Sequence, residues 1–145
     1  MKKLSTEILI EASPEEVWKV LTDFDRYPEW NPFITSISGK LKPRERLKVN
    51  IVPPGEKGTI FKPRVNHLKS AEIFSWVGHL FIVGLFDGHH IFELHQTEIG
   101  QTRFVHSEEF GGILVTFLWK KLQTSVRDGF EQMNEALKTR VENYT

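Results

Sequence analysis

The stretch ILVTFLWKKLQTSVRDGFEQMNEALKTRVE, residues 113–142, sets the architecture of this chain. Val115, Leu118, Leu122, Val126, Phe130, Met133, Leu137 and Val141 recur at spacings of three and four, which puts them on one face of a helix. The pattern predicts a single helix of about 30 residues, near 45 Å at ~1.5 Å per residue. Such a helix must bury its apolar stripe, and no second long helical pattern exists to receive it. Gly129 sits mid-helix, where glycine costs on the order of 1 kcal/mol relative to alanine. Either it permits close packing against a sheet or it leaves space for a ligand.

Upstream of this helix the sequence alternates. Residues 3–12 read as a strand, with Ile8, Ile10 and Ala12 on one side and Glu7, Leu9 and Glu11 on the other. ASPEEVWKVLTD then opens a helix. Ser13 is a natural N-cap, Pro14 suits the first helical position, and Glu16 completes a capping box. Val17, Val20, Leu21 and Phe24 share its apolar face. Pro28 and Pro32 restrict the next segment to one or two short turns. Residues 33–40, 46–52, 59–68 and 71–79 read as four more strands. Pro63 inside the third of these favours an edge or a bulge. LFIVGLFDG, residues 80–88, is an apolar insertion carrying two glycines. GHHIFELHQTEIGQTRFVHSEEFGG reads as a hairpin turning near Ile99 and Gly100.

The order is one strand, two short helices, about six strands and one long helix, with no repeat or linker. Consecutive strands joined by short turns imply an antiparallel sheet, and the class is α+β. A bent sheet around one helix is not filled by that helix near its open end. The segment DFDRYPEWNPF, residues 23–33, carries four aromatic residues and two prolines. Tyr27, Trp30 and Phe33 are expected to cover the mouth of an internal space, with the 80–88 insertion folding over the same region.

Bulk composition narrows the function. A chain of 145 residues forms one domain, residues 1–145, and can bury an adequate core without covalent staples. It has no cysteine, which excludes thiol catalysis, thiolate metal sites and disulfides. Lys plus Arg and Asp plus Glu both number 19, so no net field draws nucleic acid or an acidic surface. A local basic cluster at Lys40, Lys42, Arg44, Arg46 and Lys48, with Lys62 and Arg64, reads as ordinary solvation. MKKLSTEILIEA lacks the long apolar run of a signal peptide or a membrane span. The expectations are a cytoplasmic protein, monomer or homodimer, with neither nucleic acid nor integral membrane association. No phosphate-cradling glycine loop, Gly-x-Ser-x-Gly elbow or zinc signature is present, so neither cofactor nor metal is expected.

SPEEVWKVLTDFDRYPEWNP resembles the N-terminal signature of the START-related, birch-pollen-allergen-like superfamily (SRPBCC). WVGHLFIVGLFDGHHIFEL, TRFVHSEEFGGIL and the helix containing GFEQMNEALKTR resemble its bacterial polyketide cyclase/dehydrase-like branch. The resemblance covers essentially the whole chain. It implies a helix-grip fold, in which a curved seven-stranded antiparallel sheet grips the C-terminal helix with a cavity between them. It also implies a role as a lipid carrier, a hormone receptor or an aromatase/cyclase with polar residues deep in its pocket.

The hairpin carries the chemistry. With a short turn at residues 98–100, Phe92 opposes His106 and His90 opposes Glu108, all on the phenylalanine-bearing side, while His89 and His95 face solvent. An unpaired buried carboxylate is costly, so Glu108 should pair with a histidine or hold its proton. Three readings follow: a structural His–Glu pair, a polar anchor for an apolar ligand, or an acid–base site using His90, His106 and Glu108. The same three residues match a two-histidine, one-carboxylate metal set only weakly. The expected cavity lining is Trp30, Phe33, Phe61, Val65, Trp76, Phe86, His90, Phe92, His106, Glu108, Phe110, Phe130 and Met133. The favoured function is binding of a small hydrophobic or amphipathic molecule: a lipid, polyketide or aromatic compound. The alternatives are a cyclase/dehydrase-type enzyme and a protein-partner-binding module.

Overall fold

The structure is a computed structural model that describes residues 1–80 and 82–143; Phe81 of the apolar insertion lies outside the described residues. Strand β1 (Lys2–Ile10) leads into helix α1 (Pro14–Leu21), a 3-10 turn (Phe24–Arg26) and the short helix α2 (Tyr27–Trp30). Six strands follow: β2 (Ile34–Ser38), β3 (Lys48–Ile51), β4 (Thr59–Phe61), β5 (Arg64–Lys69), β6 (Ile73–Leu80) and β7 (Phe86–Glu98). β8 (Gln101–Gly111) forms the C-terminal hairpin with β7, and α3 (Val115–Lys121), a π turn (Leu122–Val126) and α4 (Arg127–Glu142) run on without a break as the long helix.

All strand pairs are antiparallel, in the orders β1-β8-β7-β6-β5 and β2-β3-β4. The expected strand at 59–68 is divided into β4 and β5 at Lys62 and Pro63. Proline offers no N–H to a ladder, and the ladder breaks where it sits. The halves remain one bent strand beside residues 44–51. Leu47 N donates to Pro63 O at 2.8 Å, Val65 N to Glu45 O at 2.9 Å, and Arg44 N to Val65 O at 2.9 Å. Counting that strand once gives the expected seven, and the two sheets form one curved surface around the helix.

Local signals at the N-terminal end act as written in the sequence. Ser13 Oγ accepts from Glu16 N at 3.2 Å, and Ser13 N donates to Glu16 Oε1 at 3.2 Å, closing the capping box. Asn31 Oδ1 accepts from Phe33 N at 3.0 Å and from Ile34 N at 2.8 Å. This pins the exit from α2 and turns Phe33 inward.

The aromatic connection does not cover a mouth as a group. Tyr27 is fully buried, donates its hydroxyl to Leu21 O and meets Phe24 and Trp30 edge-on at 5.6 and 5.1 Å. Trp30 borders a surface groove together with Ala136, Thr139 and Arg140 of α4, and Arg140 binds Glu29 of α2 at 2.8 Å. These rings plug one end of the grip. Only Phe33 reaches further along the helix, where its ring packs against Gly129 and meets Phe130 edge-on at 5.5 Å.

A Cβ built on Gly129 would collide with Cδ1 and Cε1 of Phe33, so the glycine permits close packing rather than open space. Gly129→Ala is therefore expected to lower stability by about 1–3 kcal/mol through overpacking. Helix propensity alone predicts a gain of about 1 kcal/mol. Urea denaturation separates the two, and an unchanged or raised midpoint would refute the packing assignment.

Candidate functional site

A hollow of about 220 Å³ lies between the sheet and the N-terminal third of the long helix. Its roof is Leu118, Lys121, Leu122 and Val126, from α3 and the π turn. Ile51, Pro53, Glu56, Thr59 and Phe61 form one wall, and Trp76, Gly78, Leu80, Phe86, Gly88, Glu108 and Phe110 the floor. The floor is low because Gly78 and Gly88 stand directly opposite each other in the β6–β7 ladder. Neither bears a side chain, and their neighbours lie close over them: Pro63 Cβ is 3.2 Å from where a Cβ on Gly78 would stand, and the Glu108 carboxyl occupies the place above Gly88. This glycine pair is a signal that the strand pattern carried and sequence reasoning missed; seeing it requires the register.

The side chains expected to line the cavity separate into two groups. Phe33, Phe61, Trp76, Phe86, Glu108 and Phe110 do border it. Val65, Phe92, Phe130 and Met133 are instead close-packed core, and His90 and His106 are buried on the same inward face of the sheet as the floor, further into the core. Trp30 sits at the plugged end beside Ala136, fourteen positions beyond Leu122 and about 21 Å along the helix at roughly 1.5 Å per residue. The single helix face that sequence periodicity defines thus does two jobs along its length. Its N-terminal third roofs the hollow and its C-terminal two thirds fill the core.

The hairpin has the expected register, with His90 opposite Glu108 and Phe92 opposite His106. A chain of hydrogen bonds leads inward from the hollow. Glu108 Oε1 meets His90 Nδ1 at 3.1 Å, and His90 Nε2 meets His106 Nε2 at 2.7 Å. His106 Nδ1 donates to Asn134 Oδ1 at 2.9 Å, Asn134 Nδ2 to Thr6 Oγ1 at 2.9 Å, and Thr6 Oγ1 to His106 O at 3.0 Å. His106 stacks on Phe130 at 4.0 Å between ring centres. His90 is 1% exposed at its side chain, whereas Glu108 is 15% exposed and reaches the hollow. Thr6 and Asn134 border an open groove between β1 and α4 on the opposite side of the core.

Burial, and next the neighbouring His90, hold His106 well below the usual histidine range; the partly opposing contacts are Asn134 and the Phe130 carbonyl. His106 is therefore a neutral ring with its proton on Nδ1. The 2.7 Å between the two Nε2 atoms is a hydrogen bond. A shared metal with bonds of ~2.0–2.1 Å would hold two imidazole nitrogens roughly 3 Å or more apart. No group of three or more His, Cys, Asp or Glu able to hold a metal ion occurs among the described residues.

The remaining charged lining residues engage each other. Glu56 Oε1 binds Lys121 Nζ at 2.9 Å and Glu56 also accepts from the Ser125 hydroxyl. The Ser125 contact, then Lys121, holds the Glu56 carboxyl below its usual range. These contacts fasten the β3–β4 loop to the helix across one side of the hollow. Near its other side Ile82, Val83, Ile113 and Phe117 are exposed. On the outer face of the sheet His89 bridges Glu109 and Ser75, each at 3.0 Å. Ser75 is fully buried and its Oγ also accepts from His67 N at 3.1 Å, so this carboxylate–histidine–serine set offers no accessible nucleophile.

Because His106 is depressed from the unfolded value of 6.5, the unfolded chain binds its proton more readily. The stability this neutral ring contributes is complete above about pH 6.5 and is lost as pH falls below it, by up to ~1.4 kcal/mol per pH unit. His106→Gln is expected to flatten that slope in denaturant titrations between pH 7 and pH 5. An unaltered slope would show that His106 does not carry it.

No curated protein matches this sequence. Solved structures do match in fold. A START superfamily protein from Mycobacterium smegmatis aligns with a TM-score of 0.77 at 18% identity, covering 99% of each chain. An aromatase/cyclase, Zhui, from a Streptomyces species aligns at 0.77 and 14% identity, covering 97% of this chain and 93% of that one. A protein from Thermus thermophilus aligns at 0.78 and 17% identity, covering 99% of each. At these identities the likeness establishes the fold. The family model described as "Polyketide cyclase / dehydrase and lipid transport" matches residues 1–142, and with the helix-grip architecture and its hollow in view, this chain belongs to that family.

Proposed function

We propose that this protein binds a small apolar or amphipathic molecule, a lipid fragment, polyketide or aromatic compound, in the hollow between sheet and helix. The observation that carries this reading is the apolar space above the Gly78–Gly88 pair, walled by Phe33, Phe61, Trp76, Phe86 and Phe110. Apolar walls with a few placed polar groups are the usual composition of ligand pockets. The volume of about 220 Å³ falls below the roughly 300–1,000 Å³ of drug-sized sites and suits a ligand of one or two rings. The family's breadth, from cyclases to lipid carriers, agrees with a binding role.

The His90–Glu108 contact favours a second reading, acid–base chemistry of the cyclase/dehydrase type. A carboxylate that borders the hollow and is backed by an imidazole is a competent general base. Substrate turnover in that case falls about 10²–10⁴-fold in Glu108→Gln.

Binding is tested by titrating a panel of one- and two-ring apolar compounds and following chemical shifts of the hollow's residues. Saturable shifts at Trp76 and Phe110 are expected. Val126→Phe, which fills the hollow from the roof, should weaken binding by at least about tenfold while the protein keeps a cooperative melt. No saturable binding by any compound, or undiminished binding in the filled variant, would overturn the proposal.

A further inference from the structure

The hydrogen-bond chain beneath the hollow determines what the polar end of a ligand must offer. This inference rests on the binding reading above and adds the chemical class of the ligand. Thr6 Oγ1 donates to a backbone carbonyl, so it accepts from Asn134 Nδ2, and Asn134 Oδ1 is left to accept from His106 Nδ1. Neutral His106 then turns a bare lone pair from Nε2 toward His90, and His90 Nε2 must be the donor in their 2.7 Å contact.

One proton is left for the 3.1 Å contact between His90 Nδ1 and Glu108 Oε1. It resides on the imidazole, making an imidazolium–carboxylate pair, or on Oε1, making a neutral pair. In both arrangements Oε2 carries no hydrogen. Oε2 lies over Gly88, in the floor of the hollow, where a Cβ on Gly88 would collide with it. It has no hydrogen-bond partner among the described residues. Glu56 and Lys121, the other ionised groups at the lining, are committed to each other at 2.9 Å.

We propose that Glu108 Oε2 is a hydrogen-bond acceptor subsite that selects apolar ligands bearing a hydroxyl or N–H donor at one end, and disfavours ethers, ketones and esters of the same shape. A ligand that presents only acceptor atoms there sets lone pair against lone pair and strips water from a carboxyl oxygen without replacing it. His106 and Asn134 act through His90 as positioning residues. Gly88 supplies the room in which the carboxyl lies.

Matched two-ring probes test this. Naphthalene, 2-naphthol and 2-methoxynaphthalene are titrated into the wild-type protein and into Glu108→Leu, which removes the acceptor and leaves an apolar side chain of similar reach. In the wild type, 2-naphthol is expected to bind about tenfold or more tightly than 2-methoxynaphthalene, the scale of leaving a desolvated acceptor without its hydrogen bond. In Glu108→Leu that preference should shrink to within about twofold while naphthalene still binds. Equal affinity of naphthol and its methyl ether in the wild type would overturn the acceptor subsite and leave the apolar hollow standing. A preference that persists in Glu108→Leu would overturn its assignment to Glu108. Failure of all three probes to bind the wild type would overturn the binding reading together with this one. The wild-type comparison stands even where the variant fails to fold.

Discussion

Two long strands, Phe86–Glu98 and Gln101–Gly111, pair so that His90 faces Glu108 and Phe92 faces His106. A slip of one residue would reverse every side chain in the hairpin. His89 and Glu109 would then enter the core, and the phenylalanines would face water. The register is held by the apolar burial of one face, since Phe92, Phe104 and His106 are completely enclosed there, while on the other face His95 remains exposed and the enclosed side chains include the serines Ser75 and Ser107. β1 continues the same constraint, because Thr6 lies beside His106 in the β1–β8 ladder and bonds back to its carbonyl. The polar chain, the floor of the hollow and the seat of the helix all take their positions from this pairing.

Around that pairing the interior is dense in one half and open in the other. Rings from α1, the α2 region and β6 interlock at the closed end: Trp18 meets Phe74 edge-on at 5.7 Å, and Phe74 lies 4.7 Å from Phe92. Midway, His106 stacks on Phe130 and Phe33 meets both rings edge-on, an arrangement permitted by Gly129. Beyond His90 the floor loses its side chains at Gly78 and Gly88, and the helix above it is drawn into a π turn at Leu122–Val126. Close packing is the rule of protein interiors, so a cavity is stable only where no available side chain can reach. The paired glycines lower the floor there, and the Glu108 carboxyl and Pro63 lie over them.

A buried imidazole costs least when neutral and hydrogen-bonded at both nitrogens. His106 has both bonds, to Asn134 and to His90, and this saturation passes the unsettled proton outward to the edge of the hollow. The same network therefore serves the core and the site. Its inner members stabilise a unique register, and its outermost carboxyl oxygen faces the space where a ligand would sit. The fold shared with START and aromatase/cyclase proteins does not by itself assign a function, which must be argued from the side chains of the site.

Much of the architecture was legible in the order of residues. The helix at 113–142, the capping box at Ser13 and the alternating strands are local patterns with local causes, and the hairpin register followed from the parity of Phe92, Phe104 and His106 about a short turn. The pairing of His90 with Glu108 came with it. What sequence could not supply was depth and distance. Periodicity marks Leu122 and Met133 as one face, yet the first roofs a hollow and the second fills the core, because the sheet beneath them differs. Tyr27 and Trp30 looked like a covering for the mouth, but helix length carried them to the opposite end. Gly78 and Gly88 are ten positions apart and meaningless singly; only strand pairing sets them face to face in the floor of the hollow.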